Sequence, residues 1–181
     1  MSVCLKKIRD IESHTNLAIR LLNDNNQHFY SEVGIDAASH RNFIKSIPND
    51  LLWVIESGGK LCGIVSVYHI DNKNKKCEWG RFVVDSGAVG VGSIVEFMVL
   101  DFVFEKLGIH KLYCEVFKKN YNVIKMHQKF GFIVEGEFKD FIFKNNEYHD
   151  VLYLSLLQDD WKGIRPRFLK IFDGKTGTVE I

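Results

Sequence analysis

Residues 77–84 read as an apolar strand and residues 94–107 as an apolar helix. Between them stands Gly87-Ala88-Val89-Gly90-Val91-Gly92-Ser93. Three glycines in six residues let the backbone turn tightly and bring its N–H groups close to a ligand. The helix that follows aims its positive end and its unpaired N–H groups at the same spot. Such a turn is an anion cradle, most often for phosphate. The spacing therefore predicts a phosphorylated cofactor. It also predicts a crossover, in which the helix carries the chain to a strand lying parallel to the one before the loop.

The rest of the chain reads as one globular unit. Residues 3–8 suggest a short strand and 12–23 a helix with Leu17, Ile19, Leu21 and Leu22. Residues 36–47 suggest a second helix, with Asp36 as N-cap and Pro48 just past its end. Strands follow at 51–56, 61–70 and 77–84, the first two joined by Gly58-Gly59 as a hairpin turn and the third reached through the polar run 71–75. After the glycine loop and its helix come a strand at 111–117 and a short helix at 122–130 ended by Gly131. Two long strands follow at 132–143 and 147–157, joined by Lys144-Asn145-Asn146. Residues 158–181, with Pro166 and three glycines, read as irregular: a docked tail or partial disorder. The order β-α-α-β-β-β-α-β-α-β-β fits a mixed sheet with helices on both faces, an α/β (α+β) architecture.

Composition excludes several functions. With 24 Lys and Arg against 23 Asp and Glu, the net charge is +1, which leaves no basic footprint for nucleic acid. Cys4, Cys62, Cys77 and Cys114 form no CxxC and no tight Cys/His cluster, so neither structural zinc nor a disulfide framework is expected. They read as reduced thiols in a cytoplasmic chain, three of them inside apolar runs. The first ten residues lack the apolar stretch of a signal peptide, and no run reaches the roughly 20 apolar residues of a membrane span.

The glycines alone leave alternatives. A Rossmann reading is weak because the loop follows an antiparallel meander, and a P-loop reading fails because no Lys-Ser or Lys-Thr follows. A second pattern narrows the choice. Gly90-Val91-Gly92 matches the glycine half of an Arg/Gln-x-x-Gly-x-Gly/Ala pyrophosphate loop, although Gly87 stands at the Arg/Gln position. Downstream, residues 120–132 (Asn120 to Phe132) resemble Asn-x-x-Ala-x-x-x-Tyr-x-x-x-Gly-Phe, with His127 at the Tyr position. The pair, in this element order, resembles the GNAT superfamily of acyl-CoA N-acyltransferases over roughly residues 3–157. That resemblance implies a GNAT fold of about seven strands and about four helices at 1–157, followed by the 158–181 tail. It implies acetyl-CoA as acyl donor and no metal. Residues 135–140 and 147–151 resemble the RimJ/RimL-like branch, and residues 77–82 look most like PseH-type enzymes, which acetylate a 4-amino group on a UDP-linked amino sugar (a UDP-4-amino-4,6-dideoxy-N-acetyl-altrosamine) in pseudaminic acid synthesis.

Roles follow from the chemistry. Acetylating an amine requires a base to take its proton and an acid to protonate the departing thiolate. Glu78, in the strand leading to the loop, is the expected base; its structural alternative is a solvated residue beside Lys75 and Lys76. His127 is the expected acid, because imidazole donates a proton near neutral pH. Its alternative is a core histidine on the Val123–Met126–His127–Phe130 face. Tyr121 and Tyr113 are reserve donors. The cofactor is expected on Val83 and Val84, whose strand edge would pair with pantetheine, on Gly87, Ala88, Val89, Gly90, Val91, Gly92 and Ser93, and on Asn120, which also suits a helix cap. Ser93 to Glu96 has the form of a capping box. Trp53, Trp79, Tyr68, His69, Arg81, Phe141 and Phe143 either line an acceptor pocket or belong to the core.

The expected partner is a small-molecule amine, in the first reading a sugar nucleotide. The others are a protein N-terminus or small amine of the RimJ/RimL, polyamine or phosphinothricin kind, and a non-catalytic acyl-CoA-binding module. A polyamine site would want an acidic pocket, and the sequence shows no dense carboxylate cluster. Neither nucleic acid nor membrane is expected, and the apolar strands after Phe132 and the tail allow a homodimer.

Overall fold

Period-two alternation along the strands sorts apolar side chains onto two faces of a sheet. The computed structural model describes residues 2–9, 11–30, 34–46 and 50–181. Among them, eight strands form one mixed sheet flanked by five α-helices. β1 (Val3–Lys7) leads to α1 (Glu12–Asp24), a 3₁₀ turn (Asn26–His28) and α2 (Ala37–Ser46). β2 (Leu51–Ser57), β3 (Lys60–Asp71) and β4 (Lys76–Val84) form the antiparallel meander. α3 (Val91–Asp101), extended by a π-helical turn (Phe102–Lys106), crosses over to β5 (Lys111–Phe117), which pairs parallel to β4. α4 (Tyr121–Lys129), β6 (Ile133–Lys144), β7 (Glu147–Leu157), α5 (Gln158–Ile171) and β8 (Thr176–Val179) complete the chain. The sheet order is β6-β7-β5-β4-β3-β2-β1-β8.

Local chemistry sets most boundaries. Gly58 and Gly59 both take positive φ, as do Asn145 and Asn146, so both hairpins close through the two-residue turns that match strand twist. Asp36 accepts the Ser39 N–H at 2.7 Å and caps α2. The expected stop at Ile47 and Pro48 lies outside the described residues. α1 lays Leu17, Ala18, Leu21 and Leu22 on Val54, Ile64 and Val83. The opposite face of the sheet, with Trp53, Ile55, Val65, Val67 and Trp79, meets α3 and α5.

The seven strands and four helices expected up to residue 157 are present, and the tail adds one of each. One expectation is corrected. Residues from Gln158 on are not irregular: they form α5 and then β8, which pairs parallel with β1. Pro166 sits inside α5, where an interior proline costs about 3 kcal/mol. Trp161, Phe168 and Phe172 are buried from this segment against Phe97, Phe104 and Phe130. Each such burial contributes roughly 1.5–3 kcal/mol, so together they outweigh the proline.

A bulge in β4 shapes the site. Ile64 faces Val83 and Ser66 faces Gly80, so two residues of β4, Arg81 and Phe82, oppose Val65 alone. Arg81 has φ +49°, as a left-handed bulge residue does. The extra residue reverses the alternation: Cys77 and Trp79 belong to the α3 side, whereas Val83 belongs to the α1 side. β4 and β5 pair only at Lys76–Lys111, Cys77–Leu112 and Glu78–Tyr113, then part.

Candidate functional site

The parting of β4 and β5 opens a cleft of about 660 Å³. β4 contributes Glu78 to Val84, β5 contributes Cys114 to Val116, and α4 with its entry contributes Asn120, Asn122, Val123 and His127. The end of α1 and the turn after it, from Leu22 to Tyr30, form the remaining wall with Ile35 and Tyr68.

Glu78 stands where the strands separate. Its side chain is 12% exposed. One oxygen accepts the Tyr68 hydroxyl at 2.9 Å, and the other lies 2.8 Å from His69 Nδ1. The Tyr113 hydroxyl is also within its reach. Burial and then this carboxylate push the Tyr68 and Tyr113 hydroxyls well above the usual tyrosine range. A second carboxylate, Glu115, accepts the Tyr30 hydroxyl at 2.9 Å and lines the same cleft. Arg81 stacks 3.4 Å over the Phe43 ring, and burial lowers its guanidinium from the usual arginine range.

His127 lines the cleft yet is buried, 2% exposed. Its Nδ1 lies 2.7 Å from Glu96 Oε1, and its ring packs against Trp79 and Phe132. Burial pulls the imidazole down, but Glu96 and the neighbouring Cys114 outweigh it and hold the ring well above the usual histidine range.

The glycine loop lies next to this cleft rather than among its lining residues. Gly90 takes φ +81° at the N-cap of α3, the left-handed turn its position required. The loop's recorded turn bonds use the Ala88 and Val91 N–H groups, and Val91 is buried. Gly87 and Val89 are exposed, while Ala88, Gly92 and Ser93 are half-buried. A side chain at Gly92 would meet Met126 and Phe82, so the start of α3 sits beside α4 and the cleft's β4 wall. Asp85, just before the loop, is tied by a two-pronged ion pair to Arg20 of α1 at 2.7 and 2.9 Å.

The structure thus brings Glu78, Val83, Val84, Asn120 and His127 into one cleft. It corrects two capping expectations. Glu96 turns into the core to His127 instead of closing a box with Ser93, and Asn120 sits at the N-cap of α4 without a side-chain capping bond. Of the aromatic and basic candidates, Tyr68, Trp79 and Arg81 line the cleft, and Trp53 is core. His69 reaches Glu78 and sets its ring edge-on against Tyr68, while Phe141 and Phe143 are exposed on the edge strand β6. Sequence reasoning missed Tyr30 and Glu115 as functional candidates. Glu115 carried a signal: it is a carboxylate within the otherwise apolar strand Leu112–Phe117. All four cysteines are free thiols.

Residues 6–153 match the acetyltransferase (GNAT) domain. This chain belongs to the GNAT acetyltransferase family. Curated relatives include YdaF of Bacillus subtilis (strain 168), named provisionally for ribosomal N-acetylation, at 28% identity over 114 residues. The spermidine N(1)-acetyltransferase of Escherichia coli (strain K12) is 26% identical over 110 residues. These alignments span about 60% of this chain and 62% and 59% of the two relatives. The acetyltransferase PseH of Campylobacter jejuni (strain 81-176) is 28% identical over 133 residues, 72% of this chain and 76% of PseH. Among solved structures, spermidine N-acetyltransferase from Vibrio cholerae in complex with CoA and spermine superposes with a TM-score of 0.80. It is 20% identical, over 89% of this chain and 98% of that one, a likeness of fold.

The GNAT cleft fits a long thioester cofactor. Beyond Glu78 the β4 edge has no β5 partner, which leaves backbone donors and acceptors along one wall. The Trp79 indole N–H, buried at the same wall, has no protein partner. The N-terminus of α3 adds the positive end and free N–H groups that suit a diphosphate.

Proposed function

We propose that this chain is an acetyl-CoA-dependent N-acetyltransferase whose acceptor is the primary amine of a nucleotide-linked amino sugar. The observation that carries the catalytic part is Glu78, a nearly buried carboxylate held by Tyr68 and His69 where β4 and β5 part. Acetyl-CoA supplies the activated acetyl group. Val83, Val84, the loop from Gly87 to Ser93 and Asn120 are the residues that would hold it. Glu78 takes the proton of the incoming amine, directly or through one water, and Tyr68 and His69 keep its oxygens in place. His127 holds the proton needed by the leaving group.

The sugar-nucleotide acceptor is supported by the reach of the PseH alignment, 72% of this chain and 76% of PseH. One observation favours a second reading, a cationic amine. Glu78 and Glu115 face the same cleft among Tyr30, Tyr68 and Trp79, an acidic and aromatic lining that suits an ammonium group.

One assay separates the readings. Free thiol is followed with acetyl-CoA and, in parallel, a UDP-linked 4-amino sugar, spermidine and an N-terminal peptide. Preferential kcat/KM for the sugar supports the first reading, and preference for spermidine supports the second. No thiol above hydrolysis with any amine, despite tight cofactor binding, would leave a binding module.

A further inference from the structure

α3 is the most apolar helix of the chain, yet Glu96 within it is 0% exposed. One of its oxygens meets His127, and the other has no hydrogen-bond partner. Burying a carboxylate costs several kcal/mol, and replacing a buried pair with apolar residues of similar volume is often neutral or stabilising. Packing alone therefore gives no reason for a glutamate here.

The surroundings of His127 fix its ring. Trp79 stands nearly perpendicular to it, with centroids 5.4 Å apart, and Phe132 lies at 4.8 Å. The titratable groups facing the ring are Glu96 from α3 and Cys114 from β5, whose thiol is within hydrogen-bonding reach. β4 and the segment entering β6 present Trp79 and Phe132 to it. Nδ1 is engaged by Glu96, the Cys114 thiol is the second group within hydrogen-bonding reach of the ring, and Cys114 and His127 both line the cleft.

We infer that Glu96 is a positioning residue that holds the His127 ring in one orientation as an imidazolium, which makes the ring the proton source at the cleft. The inference rests on the acetyltransferase reading above. In the step it serves, the acyl carbon–sulfur bond breaks as the carbon–nitrogen bond forms. The proton passes from a His127 nitrogen to the departing sulfur, and solvent restores it after the products leave.

The test combines kinetics with a readout free of activity. Ring NMR of ligand-free protein should show His127 still protonated near pH 7 in the wild type and neutral there in Glu96→Gln. Glu96→Gln should lower kcat roughly ten- to a hundredfold, up to the lower end of what a general acid contributes, with the KM for acetyl-CoA within about twofold. Its alkaline limb should move down by about one pH unit or more, and Glu96→Asp should recover part of the loss. A folded Glu96→Gln with wild-type kcat and an unmoved limb would overturn the inference. If every Glu96 variant fails to fold, the wild type still decides. Its alkaline limb must coincide with the His127 titration, and a mismatch of more than about one unit overturns the role. Failure of the acetyltransferase reading looks different: the wild type turns over no amine at all, whatever the NMR shows.

Discussion

Glu78→Gln is the sharpest test of the site. The amide has the shape of the carboxylate and keeps an oxygen for the Tyr68 hydroxyl, now at 2.9 Å from Oε1. Its NH₂ group can donate to His69 Nδ1, which lies 2.8 Å from the second oxygen, if that ring is neutral. Two hydrogen bonds therefore survive in weaker, uncharged form. A charged bond is worth about 1.5–3 kcal/mol against about 1 for a neutral one, so the folded state loses at most a few kcal/mol. Proton removal has no such substitute, since Gln is not a base. Loss of a general base costs about 10²–10⁴ in kcat, equivalent to roughly 3–5 kcal/mol of barrier. The assay is thiol release with acetyl-CoA and the best amine, with kcat and both KM values measured and folding checked by thermal melting. The KM for acetyl-CoA should stay within about twofold, because the glycine loop and the β4 edge are untouched. A kcat within a few-fold of wild type, in a folded protein, would return Glu78 to the status of a structural strand residue.

Three further outcomes are expected. Gly131→Ala should destabilise the fold by about 1–3 kcal/mol in denaturant titrations, since φ +97° strains any side chain and the new methyl would press on Ile164. Lys144→Met should raise the KM of the acceptor more than that of acetyl-CoA. The buried Lys144 ammonium donates to the Asn26 and Phe29 carbonyls at 2.6 and 2.5 Å and so pins the wall bearing Tyr30. Burial pushes the Cys77 thiol up to about 12, from an ordinary value of 9.0. Its neutral form therefore favours folding fully below about pH 9, and this contribution fades as the pH climbs toward 12. Denaturant midpoints at pH 8 and 10.5 should fall less in Cys77→Ala than in the wild type.

Much of the architecture was legible because it rests on local rules. The β4 strand, the glycine turn and α3 announced themselves through apolar runs broken by Gly90, and the Asn145–Asn146 turn marked the last hairpin. The tail was misread because Gly163 and Pro166 are local helix breakers. The counter-signal was the apolar spacing Trp161, Ile164, Phe168 and Phe172, a helical stripe with aromatic partners far away in sequence. Within the site, Glu78, Val83, Val84, Asn120 and His127 line one cleft, and the glycine loop lies beside it. The pairing of Glu96 with His127 was hidden, because Ser93 to Glu96 also fits a local cap. Only tertiary packing, over 31 residues of separation, decides between the two. The meeting of Glu115 with Tyr30 depends on how the chain after α1 folds over β5, which no periodicity encodes.

The single surplus residue at Arg81 has a consequence for how such a protein can diversify. The furrow is carved by main-chain geometry, so its existence does not depend on which side chains decorate it. The backbone rim along β4 can greet an unchanging donor, while Tyr30 and Glu115 across the gap are at liberty to change with the guest. A family built on that separation can exchange one amine for another without reinventing the handle by which it grips the common carrier.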